Sequence, residues 1–180
     1  MNTFSMIVLW MTGAAFAGLV IAAMVSDVRT MLIGNRVSIA LFFIFLPAAW
    51  AAGLSLEAAL FHLAVGALVL VVGIGLFALR LIGGGDVKFA AAVAVWLGWP
   101  ATGGFLLLFA LLGGVLAVLV ALVRKMPSLP GALGRLPWLK KGEGDTPGET
   151  EAGIPYGLAI GVAALVVFLR SPIGLTLLGS

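Results

Sequence analysis

The chain of 180 residues contains no cysteine, a single histidine and few charged side chains. Without cysteine it forms neither disulfides nor thiolate metal sites, and one histidine argues against a zinc site. Only 9% of the residues are charged and 63% are hydrophobic, whereas a soluble domain has about 25% charged and about 45–50% apolar residues. The composition therefore predicts an integral membrane protein, one domain over residues 1–180, with no metal and no cofactor.

Positive charge is also scarce and unevenly placed. The formal net charge is +3, which gives no indication of nucleic-acid binding, and the lipid bilayer is the first partner that we expect. Residues 1–25 contain no Lys or Arg, and their apolar run exceeds the roughly 7–15 residues of a secretion-signal core. This run is therefore predicted to be a permanent membrane span.

Apolar runs define the predicted fold, because a helix needs about 20 such residues to cross a bilayer. The fourth apolar run, residues 88–100, is short, so it either forms its own span or belongs to one long helix that continues to residue 123. Gly98-Trp99-Pro100 favours a hairpin, and an unbroken helix would be about 54 Å long. We predict an all-α bundle of six transmembrane helices, with spans at 4–25, 37–53, 57–79, 88–100, 102–123 and 153–169.

The positive-inside rule supports six spans with the N-terminus outside. This orientation leaves only Arg170 outside, whereas fusing the fourth and fifth spans would place the cations of the last loop outside. That loop, 124–151, is rich in Pro and Gly and is predicted to be a flexible cytoplasmic connector or a docking surface. The cations predicted inside are Arg29, Arg36, Arg80, Lys88, Arg124, Lys125, Arg135, Lys140 and Lys141.

Two aspartates follow spans that both run inward. Asp27 ends the first apolar run and Asp86 follows the third, so both are predicted at the cytoplasmic membrane boundary. Ionisable groups beside membrane segments are candidate functional residues. Two carboxyls close together in a poorly hydrated site do not both ionise easily, and they can share a proton, one as base and one as acid. This pattern predicts a metal-free hydrolytic pair; for Asp27 alone, an interfacial acid or a local cap is the alternative.

The sequence before the second aspartate is rich in glycine. Gly83, Gly84 and Gly85 remove side-chain bulk, so an extended substrate could lie against the backbone beside Asp86. A simple flexible turn between two spans would also explain them. The string lacks the spacing of a phosphate-binding loop, and Lys88 can extend its amine to the interface.

Three strings together carry a resemblance. Gly83-Gly84-Gly85-Asp86-Val87-Lys88 resembles the G-x-G-D-x-K signature of the prepilin peptidase (type IV leader peptidase) family of GxGD-type membrane aspartyl proteases. Asp27 followed by Ile33-Gly34-Asn35 resembles its first motif, and Ile154-Pro155-Tyr156-Gly157 resembles the string that opens its last span. Gly34 and Leu158 stand where the family usually has proline, which questions the local geometry of the loop and of the helix start.

The resemblance implies a function. Asp27 and Asp86 would be the catalytic acids of an endopeptidase in the bacterial inner membrane, while Gly83, Gly84, Gly85, Lys88, Asn35, Pro155 and Tyr156 would shape the site or bind substrate. The substrate would be a prepilin, and pilus-assembly proteins would be further partners. Larger members carry a cysteine-rich insert linked to N-methylation. This chain lacks it and resembles the short branch of Flp (tight-adherence) pili, so methyltransferase activity is not supported.

Other functions stay open from the residues alone. The acids could serve a small proton- or ion-coupled transporter, or the chain could be a non-catalytic subunit of a secretion system. His62 is predicted to form an interhelical hydrogen bond, and Pro155 to lie in the first turn of the last helix. Gly153, Gly157 and Gly161 recur every four residues, which indicates close helix packing or a dimer face.

Overall fold

The computed structural model describes residues 2–125 and 154–179. The predicted loop 124–151 lies outside these residues except for its first two. The described residues contain no strand, and their six helices are α1 (Thr3–Thr30), α2 (Asn35–Ala51), α3 (Leu56–Ala78), α4 (Gly84–Arg124), α5 (Tyr156–Phe168) and α6 (Pro172–Leu178).

Within the described residues, three helices are long and apolar enough to cross a membrane, namely α1, α3 and α4. The bent pair of α5 and α6 is a fourth candidate if it counts as one broken span, while α2 is apolar but shorter. Met11, Val71 and Leu107 remain 67%, 67% and 64% exposed. Such an apolar exterior suits lipid and not water, and the protein is a multi-pass helical membrane protein.

The first half of α4 occupies the centre of the bundle, and residues 89–97 are all buried. Trp96 packs against Phe16 of α1, Phe45 of α2 and Phe168 of α5, with ring centroids 4.8, 6.1 and 6.1 Å apart. A helix covered by protein on every side is apolar all round. Protein contacts on every side therefore explain why residues 89–97 are apolar on all faces.

The helix α4 is interrupted at Gly98, whose φ of 66° and ψ of 179° are not helical. Val87 before the break and Phe109 after it line the same cavity, although a straight helix would place them about 33 Å apart. The chain therefore reverses near Gly98, and α4 consists of two helices that run in opposite directions. The break predicted from Gly98-Trp99-Pro100 is present.

Replacing Gly98 by Ala is expected to lower the free energy of unfolding by about 1–3 kcal/mol, because its backbone region is nearly exclusive to glycine. An added Cβ would also lie 2.6 Å from the His62 ring. Gly103→Ala is the matched control, since a Cβ there meets no atom within 4 Å. Denaturant unfolding in detergent measures both variants, and equal stability of the two would contradict the prediction.

His62 connects α3 to α4, as the sequence predicted for a structural histidine. Its Nδ1 lies 2.7 Å from the carbonyl oxygen of Val95, and its ring stacks on Phe45 with centroids 5.5 Å apart. The side chain is buried. The predicted interhelical hydrogen bond is confirmed.

The end of the chain differs from the prediction. Pro155 is the N-cap of α5 and precedes the helix, whereas the sequence predicted it in the first turn. After α5 the chain bends by 54° into α6, which the apolar pattern did not predict. Ser171 starts this helix by accepting a hydrogen bond from Gly174 N at 3.0 Å, with Pro172 as the first helical residue. A serine cap followed by proline is a strong helix start.

Candidate active site

The starts of α4 and α5 meet the connection between α1 and α2, residues 31–34. A Cβ built on Gly85, at the start of α4, would lie 3.3 Å from the carbonyl oxygen of Ile33. A Cβ built on Gly157, at the start of α5, would lie 2.6 Å from Ile33 Cδ1. The Ser26 hydroxyl donates to the Leu32 carbonyl at 2.8 Å and holds the connection against α1. Glycine therefore allows both helix starts to approach this connection closely.

Asp27 lies in the last turn of α1 and is 5% exposed. Its Oδ2 accepts a hydrogen bond from the Gly157 N–H at 2.7 Å. No side chain at the Pro155 cap position serves α5. Asp27 thus provides an acceptor for an amide at the start of α5, and the helix dipole favours its negative charge there.

Asp86 is the third residue of α4 and is half-buried. Its carboxylate lies over Gly83, the N-cap residue, which is the position that the acid of a capping box occupies. A Cβ on Gly83 would lie 2.8 Å from Asp86 Oδ2. The absence of a side chain at position 83 therefore allows the carboxylate to fold back over the helix start.

The other two glycines also face residues of this chain. A Cβ on Gly84 would lie 3.4 Å from the ring of Phe77, and Gly85 faces Ile33. The sequence suggested that an extended substrate could lie against these glycines. In the structure the open sides of Gly83, Gly84 and Gly85 are instead directed at Asp86, Phe77 and Ile33, so the glycines serve close packing around the second aspartate.

The carboxylates of Asp27 and Asp86 are close enough to repel each other when both are charged. They belong to α1 and α4, which only the tertiary fold brings together. A carboxyl pair can activate water, with one group accepting a proton and the other donating one. Within residues 2–125 and 154–179, no group of three or more His, Cys, Asp or Glu side chains could hold a metal ion.

The remaining predicted site residues lie at the starts of α2, α4 and α5. Lys88 Nζ donates to Asn35 Oδ1 at 3.0 Å, and both side chains are exposed. This bond ties the start of α4 to the start of α2. Pro155 is buried beside the start of α5. The Tyr156 ring packs against Gly113 in the second half of α4, 3.2 Å from a Cβ built there.

The two departures from the resembled motifs have different structural effects. Gly34 has φ −66°, which is the angle that proline imposes, so glycine leaves the start of α2 unchanged. Leu158 donates its N–H to the Pro155 carbonyl at 3.2 Å, and a proline has no N–H to donate. Leucine at position 158 therefore keeps a backbone hydrogen bond in the first turn of α5 that proline would lose.

Sequence reasoning did not place Gly157 in the site. Its spacing with Gly161 indicated helix packing, and Gly161 does pack against Met24 and Val20 of α1. Gly157 packs too, but its contacts are Asp27 and Ile33, and its N–H binds the carboxylate. The sequence feature that could have placed Gly157 in the site is its position in the string Ile154-Pro155-Tyr156-Gly157.

The fold and the site together define a class, the multi-pass helical membrane proteins with a pair of carboxylates at adjacent helix ends. The sequence profile of the type IV leader peptidase family matches residues 14–121, which include Asp27 and Asp86. The chain belongs to the type IV leader peptidase family and is a protease whose substrates are of the prepilin type. Comparison with curated proteins and with solved structures gave no match.

Proposed function

We propose that this protein is an aspartyl endopeptidase that removes the short leader from Flp-like type IV prepilins. The observation that carries the proposal is the convergence of Asp27 and Asp86 on Ile33. Gly157, which binds Asp27, and Gly85, which precedes Asp86, both pack against this residue, and the two carboxylates lie within electrostatic range. Membership in the leader peptidase family supplies the reaction class. The pair supplies a means of hydrolysis without a metal.

In the proposed reaction, one proton is shared by the two carboxyl groups. The ionised group takes a proton from water, whose oxygen attacks the scissile carbonyl carbon. The protonated group donates to the amide nitrogen as the C–N bond breaks, so the pair begins and ends with one proton. The amide of Gly157 holds Asp27 in place, and the Asp86 carboxylate packs against Gly83.

The topology proposed with this reaction has six spans in the bacterial inner membrane and an external N-terminus. The reversal at Gly98 supports counting α4 as two spans. Arg29 and Arg80 lie close in sequence to the two acids, and the positive-inside rule places them in the cytoplasm. A prepilin would then place its apolar helix in the bilayer and its leader junction at the pair.

The short connection between α1 and α2 supports the Flp-type branch. Only residues 31–34 separate these helices, and the sequence contains no cysteine. An insert with cysteine pairs of the kind linked to N-methylation is absent from this connection. We therefore propose cleavage without methylation, and pilus-assembly proteins as partners of the enzyme.

Reconstitution tests this function directly. The purified protein is placed in liposomes with a Flp-type prepilin, and mass spectrometry follows leader removal with the methyl donor present. We expect one cut at the leader junction and an unmethylated new N-terminus. Intact prepilin after incubation with folded protein, accompanied by ion flux into the liposomes, would instead favour a transporter.

A further inference from the structure

An apolar cavity of about 480 Å³ lies between α3 and the two halves of α4. The α3 side of its wall extends from Val65 to Leu76, a length of about 17 Å along a helix. This length matches about eleven residues of a helix lying alongside. Six of its lining residues are Val65, Val69, Leu76, Ile82, Val87 and Leu106.

The wall of this cavity suits an apolar ligand only. Thr102 is its one hydroxyl-bearing residue, and its Oγ1 already donates to the Gly98 carbonyl at 2.7 Å. The other lining side chains have no group that forms conventional strong hydrogen bonds, apart from the Trp99 indole. A polar ligand would lose its hydration there without gaining partners.

The cavity reaches the start of α4, which carries Asp86, although neither aspartate lines it. Its lining includes Ile82 and Val87, which directly flank the segment from Gly83 to Asp86. An apolar rod lying along the cavity would therefore end near the helix start that carries Asp86. We infer that this cavity binds the apolar helix of the prepilin, at the residues that follow the cleaved leader. The inference rests on the proposed function and adds the surface that positions the substrate.

One glycine in the wall allows a direct test. Gly103 lines the cavity, and a Cβ there meets no atom within 4 Å, whereas its neighbour Gly104 is equally open but does not line the cavity. Gly103→Leu should fill the cavity and reduce kcat/KM for leader removal about tenfold or more, chiefly through KM. Gly104→Leu should leave kcat/KM unchanged. Equal activity of the two folded variants would overturn the inference.

Photo-cross-linking gives a second readout, which reports contact with the prepilin and not turnover. A benzophenone amino acid replaces Leu106, which lines the cavity, or Leu107, which does not, and each variant is irradiated in liposomes with a prepilin. Adducts to the prepilin's apolar helix at position 106 and not at 107 are expected. Adducts to lipid alone at position 106 would overturn the inference. Full processing by Asp86→Asn would instead defeat the proposed function.

Discussion

Replacing Asp86 by Asn is expected to reduce the rate of leader removal about 10³-fold, and Asp27→Asn should do the same. The amide keeps the size of the carboxyl group but neither accepts a proton from water nor passes one to the leaving amine. Each substitution therefore removes one of the two proton transfers that the pair provides. The measurement is the single-turnover rate of prepilin cleavage by each variant in liposomes.

The control for this pair is Glu57→Gln. Glu57 is an exposed acid in the first turn of α3, at the end of that helix far from Asp86. The same change from carboxyl to amide there should leave the cleavage rate within a factor of two of the unmodified protein. Activity within a few-fold of normal in either Asp27→Asn or Asp86→Asn would show that the pair is not catalytic.

Gly157→Ala, which adds a single methyl group, is expected to slow cleavage roughly 100-fold. Misplacing a catalytic group by about 1 Å reduces rates by about this factor. The Cβ of Gly157→Ala would lie 2.8 Å from Asp27 Oδ2 and 2.9 Å from Asp27 Cβ. Asp27 cannot keep its position between α1 and α5 at such distances, so its carboxylate must move relative to Asp86. The effect should appear in kcat, since the cavity between α3 and α4 is untouched.

Gly161→Ala separates this effect from simple crowding. Gly161 lies one turn later on α5, where an added Cβ would contact the Met24 side chain and Val20. Both substitutions overpack the contact between α1 and α5, so both should lower stability by about 1–3 kcal/mol. Only Gly157→Ala should lose most of its activity. Similar activities for the two variants would contradict a positioning role for Gly157.

The sequence was most informative where a single property decides the structure. Long apolar runs predict helices, and α1, α2 and α3 overlap the first three predicted spans. Gly98-Trp99-Pro100 predicted the break in α4, because glycine and proline interrupt a helix whatever surrounds them. Neither result depends on which helices are neighbours.

Features that depend on packing partners were not predicted. The central position of residues 89–97 depends on the aromatic side chains that surround Trp96. The bond from Lys88 to Asn35 and the contact of Tyr156 with Gly113 join segments distant in sequence. The apolar runs also gave no sign of α6, since a serine cap and a proline divide the last run.

In the site, too, the sequence predicted some features and missed those that depend on packing. The direction of the predicted spans identified Asp27 and Asp86 as candidates, because it places both at one end of the bundle. It did not reveal that α5 supplies an amide that binds Asp27. Asp27 thus caps a helix distant in sequence, whereas the alternatives that the sequence offered to a carboxyl pair were an interfacial acid or a local cap.

Thiol cross-linking tests most directly whether positions 27 and 86 lie close together, because the chain has no cysteine of its own. Asp27→Cys and Asp86→Cys are combined and treated with a short bifunctional thiol reagent in native membranes. Asp27→Cys combined with Glu57→Cys is the control, since α3 alone separates Glu57 from the Asp86 end by about 30 Å. We expect a cross-link only in the first variant, and labelling of positions 27 and 86 from the cytoplasm. Labelling of these two positions from opposite sides, or no cross-link between them, would contradict a shared catalytic site.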